Sequence, residues 1–122
     1  LRLSRGLGDV YKRQIFDTED KFGSETDLLI TDMEKASALA DCLVDSDVAL
    51  MRGHGATIYG RTLPEAVYRA IYAELNAQIL LNSAAMGTFK ALSVGECKAT
   101  VERISPQIGR AWDLWVREVE RD

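Results

Sequence analysis

Two short apolar runs separated by a glycine-bracketed turn form the clearest pattern along this chain. Residues 48–51 (Val-Ala-Leu-Met) and 56–59 (Ala-Thr-Ile-Tyr) flank the turn Arg52-Gly53-His54-Gly55. Short apolar runs bounded by turn residues are typical of strands, and the first run is typical of a buried one. The pattern therefore predicts two paired strands with His54 at their junction. A further brief strand is predicted at residues 27–30 (Asp-Leu-Leu-Ile).

Apolar residues at helical spacing dominate most of the remaining chain. Three helix starts match the capping-box pattern, at residues 31–34, 62–65 and 93–96. The first predicted helix ends before Asp45, the second at Met86-Gly87 and the third near Ile104. Residues 90–92 are predicted to be extended, and a last helix is predicted to begin at Ser105-Pro106.

The second predicted helix carries a carboxylate on its apolar face. On a helical wheel of about 100° per residue, the apolar face holds Leu63, Val67, Ala70, Ala77, Gln78, Leu81 and Ala85, and the opposite face holds Glu65, Arg69, Tyr72, Asn76 and Ser83. Glu74 lies near the centre of the apolar face. Because an unpaired buried carboxylate is costly, we expect Glu74 to meet a specific partner, for which Arg52 and His54 are the nearest candidates.

Two kinds of role are open for Glu74. It could act near a catalytic centre, by accepting a ring proton of His54 and so orienting that side chain. It could instead be structural, by capping a buried backbone N–H, pairing with an arginine or contacting a neighbouring subunit. The structural roles are favoured, since perturbed carboxylates are often structural.

The last predicted helix is amphipathic and rich in tryptophan. Its apolar stripe consists of Ile108, Ala111, Trp112, Trp115 and Val119. Such a stripe either packs within the protein or forms a subunit contact, and an aromatic stripe at this spacing is more often core. We expect packing.

The composition fits one globular domain. The chain has 122 residues, of which 47% are hydrophobic, and a formal net charge of -4. An acidic surface without a basic patch argues against nucleic acid or an anionic membrane as the main partner, and no apolar stretch approaches the roughly twenty residues that span a bilayer. Cys42 and Cys97 are isolated thiols, which we interpret as inert and as suited to the cytoplasm.

The first fourteen residues match nothing in the rest of the chain. Residues 4–14 (Ser-Arg-Gly-Leu-Gly-Asp-Val-Tyr-Lys-Arg-Gln) resemble the in-frame translation of a transposase adapter used to prepare DNA sequencing libraries. We therefore predict that residues 1–14 are a non-native segment and that residues 15–122 carry the fold. The alternative is a native basic arm that binds an acidic partner. Without this segment the formal charge is still more negative.

His54, which is the only histidine, is the best candidate for chemistry. A neutral imidazole is the commonest metal ligand in proteins, and flanking glycines allow a tight turn that leaves the ring accessible. A zinc site needs three protein ligands when catalytic and four when structural, so His54 would supply one part of a site. No phosphate-binding glycine pattern, Cys-x-x-Cys pair or Ser/His/Asp arrangement accompanies it.

Residues 48–79 resemble the C-terminal half of the class II aldolase and adducin family. Within this stretch the segments Met-Arg-Gly-His-Gly (51–55), Leu-Pro-Glu-Ala-Val (63–67) and Glu-Leu-Asn-Ala (74–77) carry the similarity, together with Arg-Ala-Trp-Asp-Leu-Trp (110–115). They are most similar to the branch of decarboxylases that act on compounds of the hydroxy-carboxymuconic semialdehyde type. The similarity extends over essentially all of residues 15–122.

The resemblance implies an α/β fold, specifically part of a three-layer α/β/α structure with a largely antiparallel central sheet. It implies a homotetramer with active sites between subunits and a divalent metal ion, with zinc as the first choice. His54 corresponds to the last metal-binding histidine of the family. A His-x-His pair and an acid/base glutamate lie further upstream in the family, so we expect the present chain alone to be inactive. Arg52 would bind a substrate carboxylate or pair structurally with Glu74.

Three hypotheses about function follow. The leading one is a metal-dependent carbon–carbon lyase that decarboxylates a small-molecule intermediate, ahead of a sugar-phosphate aldolase or epimerase of the same family. The second is a non-catalytic, adducin-like interaction module, which the retention of His54 disfavours. The third takes the 122 residues as an incomplete domain with exposed apolar faces.

Overall fold

The computed structural model describes residues 15–121, and the predicted adapter-derived segment 1–14 lies outside them. The elements in chain order are β1 (Ile15–Phe16), α1 (Thr18–Phe22), α2 (Met33–Asp41), β2 (Val48–Met51), β3 (Gly55–Ile58), α3 (Leu63–Met86), α4 (Val94–Ile104), a 3₁₀ turn (Ser105–Gln107) and α5 (Ile108–Val119). The chain divides between Tyr59 and Gly60 into two compact units. The first unit holds the sheet and the second holds the long helices.

The sheet of the first unit is mixed. β2 is the central strand; it pairs in parallel with β1, where Ile15 lies opposite Leu50, and antiparallel with β3, where Met51 lies opposite Gly55. The prediction of paired strands around His54 is confirmed, whereas a largely antiparallel sheet is not what residues 15–121 show. The physical reason is the connection: the chain between β1 and β2 passes through α2, and a crossover of this kind returns the next strand in the same direction.

The core of the first unit is small. Phe16 and Ala49 are almost completely buried, with 2% and 0% of their surface exposed, and Ala38 of α2 is buried with them. The prediction that residues 48–51 form a buried strand holds only for Ala49, because Leu50 is exposed. Ser46 fixes the start of this strand, since its hydroxyl donates to the Val48 carbonyl at 2.7 Å and accepts from the Val48 N–H at 3.2 Å.

The strand predicted at residues 27–30 is wrong. The Thr26 hydroxyl accepts the Leu28 N–H at 3.1 Å, and the Asp27 carboxylate accepts the Leu29 N–H at 3.0 Å. Both N–H groups are thereby used in local turns, which compete with a sheet ladder. Leu28 also has a φ of 66°, in the left-handed region that non-glycine residues rarely occupy.

Side-chain caps fix the N-terminal ends of most helices, at or near the predicted positions. Ser93 and Glu96 form the complete capping box at the start of α4. At the start of α3, Thr62 accepts the Glu65 N–H as predicted. At α2 the cap is Asp32 rather than Thr31, because the Asp32 carboxylate accepts the Lys35 N–H at 2.8 Å.

In the second unit α5 packs on α3 through aromatic side chains. The rings of Tyr68 and Trp115 lie 6.1 Å apart, and the rings of Tyr68 and Tyr72 stack at 4.4 Å. Aromatic pairs at these separations add to the stabilisation from buried area. The prediction that the tryptophan stripe of the last helix packs within the protein is confirmed for Trp115.

The two faces predicted for α3 are reversed in exposure over its second half, whereas over residues 64–73 both faces are half-buried. Half-buried positions include the predicted polar residues Glu65, Arg69, Tyr72, Asn76 and Ser83, whereas exposed positions include the predicted apolar residues Leu63, Ala77, Gln78, Leu81 and Ala85. Leu81 is 71% exposed. α5 covers part of the nominally polar side through the contact of Trp115 with Tyr68, and on the same side Arg69 and Glu65 form an ion pair at 2.7 Å.

Residues 60–121 contain no fully buried side chain. Residues 90–92, predicted to be extended, join no strand within the described part of the chain. Among residues 15–121, none of the helices combines the length and the apolar character that a membrane crossing requires.

Gly60 precedes α3 at a point where no side chain fits. A Cβ placed on Gly60 would lie 2.5 Å from the Ala66 backbone nitrogen and 2.7 Å from its Cα. We expect Gly60→Ala to lower the free energy of unfolding by about 1–3 kcal/mol, the usual cost of forcing extra atoms into a packed site. Urea unfolding followed by circular dichroism measures this change.

Gly109 provides the matched control, because a Cβ there meets nothing within 4 Å. Gly109 lies inside α5, where Gly→Ala favours the helix by up to about 1 kcal/mol. We expect Gly109→Ala to raise stability or leave it unchanged. Equal stabilities for the two variants would show that the approach of Gly60 to Ala66 does not constrain the start of α3.

Candidate functional site

The connection between β2 and β3 presents His54 at the end of the hairpin. The His54 N–H donates to the Met51 carbonyl at 3.0 Å, which closes the turn. Gly53 and Gly55 have φ values of 80° and 136°, where a side chain is strained. The predicted role of the two glycines is therefore confirmed: they permit the tight turn, and the His54 side chain at its end is exposed.

The ring of His54 is held by a backbone carbonyl from a distant part of the first unit. Its Nε2 lies 2.8 Å from the Leu28 carbonyl oxygen. Because a carbonyl oxygen only accepts hydrogen bonds, this contact assigns the ring proton to Nε2 and leaves the lone pair on Nδ1. A neutral imidazole in this form retains one nitrogen that can bind a cation.

Arg52, two residues before His54, is bound by two carboxylates. Its Nε lies 2.5 Å from an Asp17 oxygen and its Nη2 lies 3.0 Å from a Glu19 oxygen. Its backbone N–H donates to the Phe16 carbonyl at 3.1 Å. Asp17 also caps α1 by accepting the Glu19 N–H at 2.9 Å. Arg52 thus joins the hairpin turn to the segment that follows β1.

These contacts change the ionisation of Asp17. The hydrogen bond from Arg52 lowers the pKa of Asp17 below its ordinary value of 3.8, and the Glu19 N–H acts in the same direction. The Asp17 carboxylate correspondingly raises the pKa of Arg52. Both groups are charged in the folded protein at neutral pH.

The partners of Arg52 differ from those that the sequence suggested. Arg52 was expected to bind a substrate carboxylate or to pair with Glu74, whereas its guanidinium pairs with Asp17 and Glu19. Two neighbouring carboxylates neutralise most of the attraction that a substrate anion would experience. The contacts therefore favour a structural role for Arg52, with Asp17 and Glu19 as its partners in place of Glu74.

Glu74 lies on an exposed part of α3, so the expected burial of its carboxylate is wrong. Its Oε1 accepts from Gln78 Nε2 at 3.5 Å, one helical turn later. An exposed carboxylate keeps its hydration and needs no specific partner. The predicted role of Glu74 in orienting His54 stays a prediction.

The described residues offer one imidazole and no complete metal site. Among residues 15–121, no three His, Cys, Asp or Glu side chains lie close enough together to bind a metal ion. Cys42 and Cys97 are half-buried and free of disulfides. The donor chemistry of His54 fits one ligand of a divalent metal, and residues 15–121 do not show the others.

Sequence reasoning missed three contributors to this site: Asp17, Glu19 and Leu28. Asp17 followed by Thr-Glu-Asp is a helix-cap pattern that could have been recognised. No local signal marks the Leu28 carbonyl, because its role depends on the turn at Thr26 and on a contact 26 residues along the chain.

Comparison with known proteins identifies a family and a relative. Residues 11–81 match the model of the class II aldolase and adducin N-terminal domain, a region that includes the whole hairpin around His54. The chain is 38% identical over 119 residues to the decarboxylase tropJ of Talaromyces stipitatus; the match covers 82% of this chain and 45% of that protein. The chain thus spans about half the length of this relative. The family match begins at residue 11, so the non-native origin of residues 1–14 stays a prediction.

The ion pair between Asp17 and Arg52 predicts acid sensitivity. Because the folded pKa of Asp17 is lowered, its contribution to stability is present above the ordinary pKa of 3.8 and is lost as the pH falls through the lower, folded value. We expect Asp17→Asn to lower the melting temperature at pH 7, and the difference from the unsubstituted chain to shrink as the pH falls below 3.8. Thermal unfolding followed by circular dichroism across this range measures the difference.

Asp113→Asn serves as the control, since Asp113 is an exposed residue of α5. We expect it to change the melting temperature little at any pH. A difference between Asp17→Asn and the unsubstituted chain that stays constant down to pH 2 would contradict the role given to the Asp17 carboxylate.

Proposed function

This chain belongs to the class II aldolase and adducin family, in its decarboxylase branch, and from that premise we propose that it forms part of a metal-dependent carbon–carbon lyase. The observation that carries the proposal is the exposed imidazole of His54, held on a glycine turn within the region that matches the family. Class II aldolases generally depend on a divalent metal, and an imidazole with one free nitrogen is suited to bind one. Zinc is the first choice.

His54 would supply one ligand, and the remaining ligands would come from outside residues 15–121. A bound divalent cation supplies Lewis-acid chemistry, because it stabilises the negative charge that develops on a substrate oxygen when a carbon–carbon bond breaks. The chain's own contribution is to position the ring. Gly53 and Gly55 allow the turn, and the Leu28 carbonyl holds Nε2.

Arg52 acts in this proposal mainly by fixing the turn. Its side chain joins the turn to Asp17 and Glu19, and its N–H joins the turn to Phe16. Binding of a substrate carboxylate by Arg52 is the less favoured alternative, since that anion would compete with two carboxylates already in place.

Decarboxylation is the reaction that we propose first. The relative at 38% identity is named a decarboxylase, and the residues around His54 resemble the branch that acts on hydroxy-carboxymuconic semialdehyde type compounds. A small carboxylic acid with an adjacent carbonyl group is the substrate class that this implies. Cleavage or epimerisation of a sugar phosphate is the alternative within the same family.

An interaction role is the second candidate, and one observation favours it. α3 exposes several large apolar side chains, among them Leu63, Ile79, Leu81 and Met86, the last with 90% of its surface exposed. Large apolar side chains left exposed on a helix are candidates for contact with another chain. The same observation supports assembly into a homo-oligomer, for which the family resemblance suggests a tetramer.

Substitution of His54 in the full-length protein tests the metal proposal. Loss of a residue that only orients a metal ligand typically reduces metal affinity or activity by about 10–100-fold, and loss of a ligand should cost at least as much. We expect His54→Ala to reduce bound zinc and turnover by roughly 100-fold or more while the circular dichroism spectrum is retained. Elemental analysis and a decarboxylation assay measure the two quantities.

Asn82→Ala, a substitution at an exposed position of α3, is the control for handling and purity. We expect it to retain metal content and rate. Unchanged metal content in His54→Ala would remove His54 from the ligand set. Retained metal with lost activity would assign His54 a role other than metal binding.

A further inference from the structure

The loop of residues 26–29 contacts the hairpin turn at two points. The Leu28 carbonyl oxygen lies 2.8 Å from His54 Nε2. The Leu28 side chain lies over Gly53, since a Cβ placed on Gly53 would come within 2.8 Å of Leu28 Cδ1. One residue of the loop therefore holds the histidine ring with its backbone and packs against the adjacent glycine with its side chain.

Local hydrogen bonds hold the backbone of the loop in the conformation that places the Leu28 carbonyl near His54. Leu28 has a φ of 66°, an unfavourable value for a leucine that persists only where surrounding contacts enforce it. The enforcing contacts are on both sides: the Thr26 hydroxyl accepts the Leu28 N–H at 3.1 Å, and the Asp27 carboxylate accepts the Leu29 N–H at 3.0 Å. An observed backbone outlier of this kind at a candidate site is a reason to look for function.

Gly53 in the hairpin turn has the small size that the contact with Leu28 requires. Gly53 has a φ of 80° and no side chain, so the Leu28 methyl group can approach its backbone. A larger residue at position 53 would be strained at this φ and would have to displace the Leu28 methyl group. The two segments are 26 residues apart in the chain, and their contact is a property of the folded first unit.

We propose that the 26–29 loop is a positioning element for His54, in which the Leu28 carbonyl accepts the Nε2 proton, fixes the ring orientation and leaves Nδ1 as the nitrogen that binds a cation. Metal-binding histidines almost always donate their other ring N–H to a carboxylate, a carbonyl or water, and this partner fixes the tautomer. The carbonyl acceptor would act through His54 and would not touch substrate. The cation-binding part rests on the proposed function, whereas the positioning of the ring does not.

The single histidine of the chain makes the ring directly observable. In the 122-residue chain labelled with ¹⁵N-histidine, every ring signal comes from position 54. At about pH 8.5, where an ordinary imidazole is neutral, two-bond ¹H–¹⁵N correlation spectra distinguish the protonated nitrogen from the unprotonated one. We expect one tautomer, protonated at Nε2, with a ring N–H proton protected from exchange with water.

Variants of the loop test whether Leu28 and Thr26 cause this state. We expect Thr26→Val, which removes the hydroxyl acceptor, and Leu28→Ala, which removes the contact with Gly53, to give mixed tautomers and a rapidly exchanging ring proton. Thr26→Ser keeps the hydroxyl and should restore the signal of the unsubstituted chain. Backbone amide spectra report whether each variant is folded.

Thr57→Val is the matched control. Thr57 lies on β3 of the same hairpin, and its hydroxyl donates to the Met51 sulfur rather than to the loop. We expect Thr57→Val to retain the Nε2-protonated ring. Averaged tautomers in the unsubstituted chain, or folded Thr26→Val and Leu28→Ala variants with an unchanged ring, would overturn the positioning role.

Addition of zinc to the full-length protein distinguishes the positioning of the ring from the metal-binding role of His54. The His54 ring signals are assigned as those that are absent from the spectrum of His54→Ala. A change in the chemical shift of Nδ1, with Nε2 still protonated, supports both the positioning of the ring and the metal-binding role. A fixed tautomer that zinc does not perturb supports the positioning of the ring and contradicts the metal proposal. Zinc binding at Nε2 would retain His54 as a ligand and overturn the assignment of Nδ1.

Discussion

The hairpin turn at Arg52–His54 depends on contacts that reach it from two other segments of the first unit. Asp17 and Glu19, directly after β1, bind the Arg52 guanidinium, and Leu28 binds the His54 ring. Each contact spans 26 to 35 residues of sequence. A turn of two glycines has little conformational preference of its own, so these contacts determine where the imidazole lies.

The parallel pairing of β1 with β2 makes the first of these contacts possible. With Phe16 opposite Met51, the residues that follow the two strands emerge at the same edge of the sheet. Asp17 and Arg52 are those residues, and their ion pair continues the strand pairing with side chains, just as the hydrogen bond from the Arg52 N–H to Phe16 continues it with backbone. The lowered pKa of Asp17 follows from this register.

Several features set by neighbouring residues could be predicted from the sequence, whereas features set by distant residues could not. The β2–β3 hairpin, the cap at Thr62 and the capping box at Ser93 each depend on contacts within a few residues, and all three are present. The strand predicted at residues 27–30 failed because two local side chains take its N–H groups. The exposure of the two faces of α3 was also predicted wrongly, because it depends on which other elements cover the helix, such as α5 through the contact of Trp115 with Tyr68. The same distinction holds at the site, where His54 was identified from its own glycines but its acceptor was not.

The contacts that position His54 and the packing of the long helices lie in different units of the chain. The contacts of the hairpin turn with Asp17, Glu19 and Leu28 lie within residues 15–59, the unit that also contains the buried Phe16, Ala38 and Ala49. Residues 60–121 contain no fully buried side chain, and α3 exposes leucines that would gain stability if covered. Covering them requires protein surface beyond the contacts that residues 15–121 provide, whereas the orientation of the His54 ring requires none. The first unit therefore holds the His54 ring in a defined position with its own residues, independently of what covers the exposed leucines of α3.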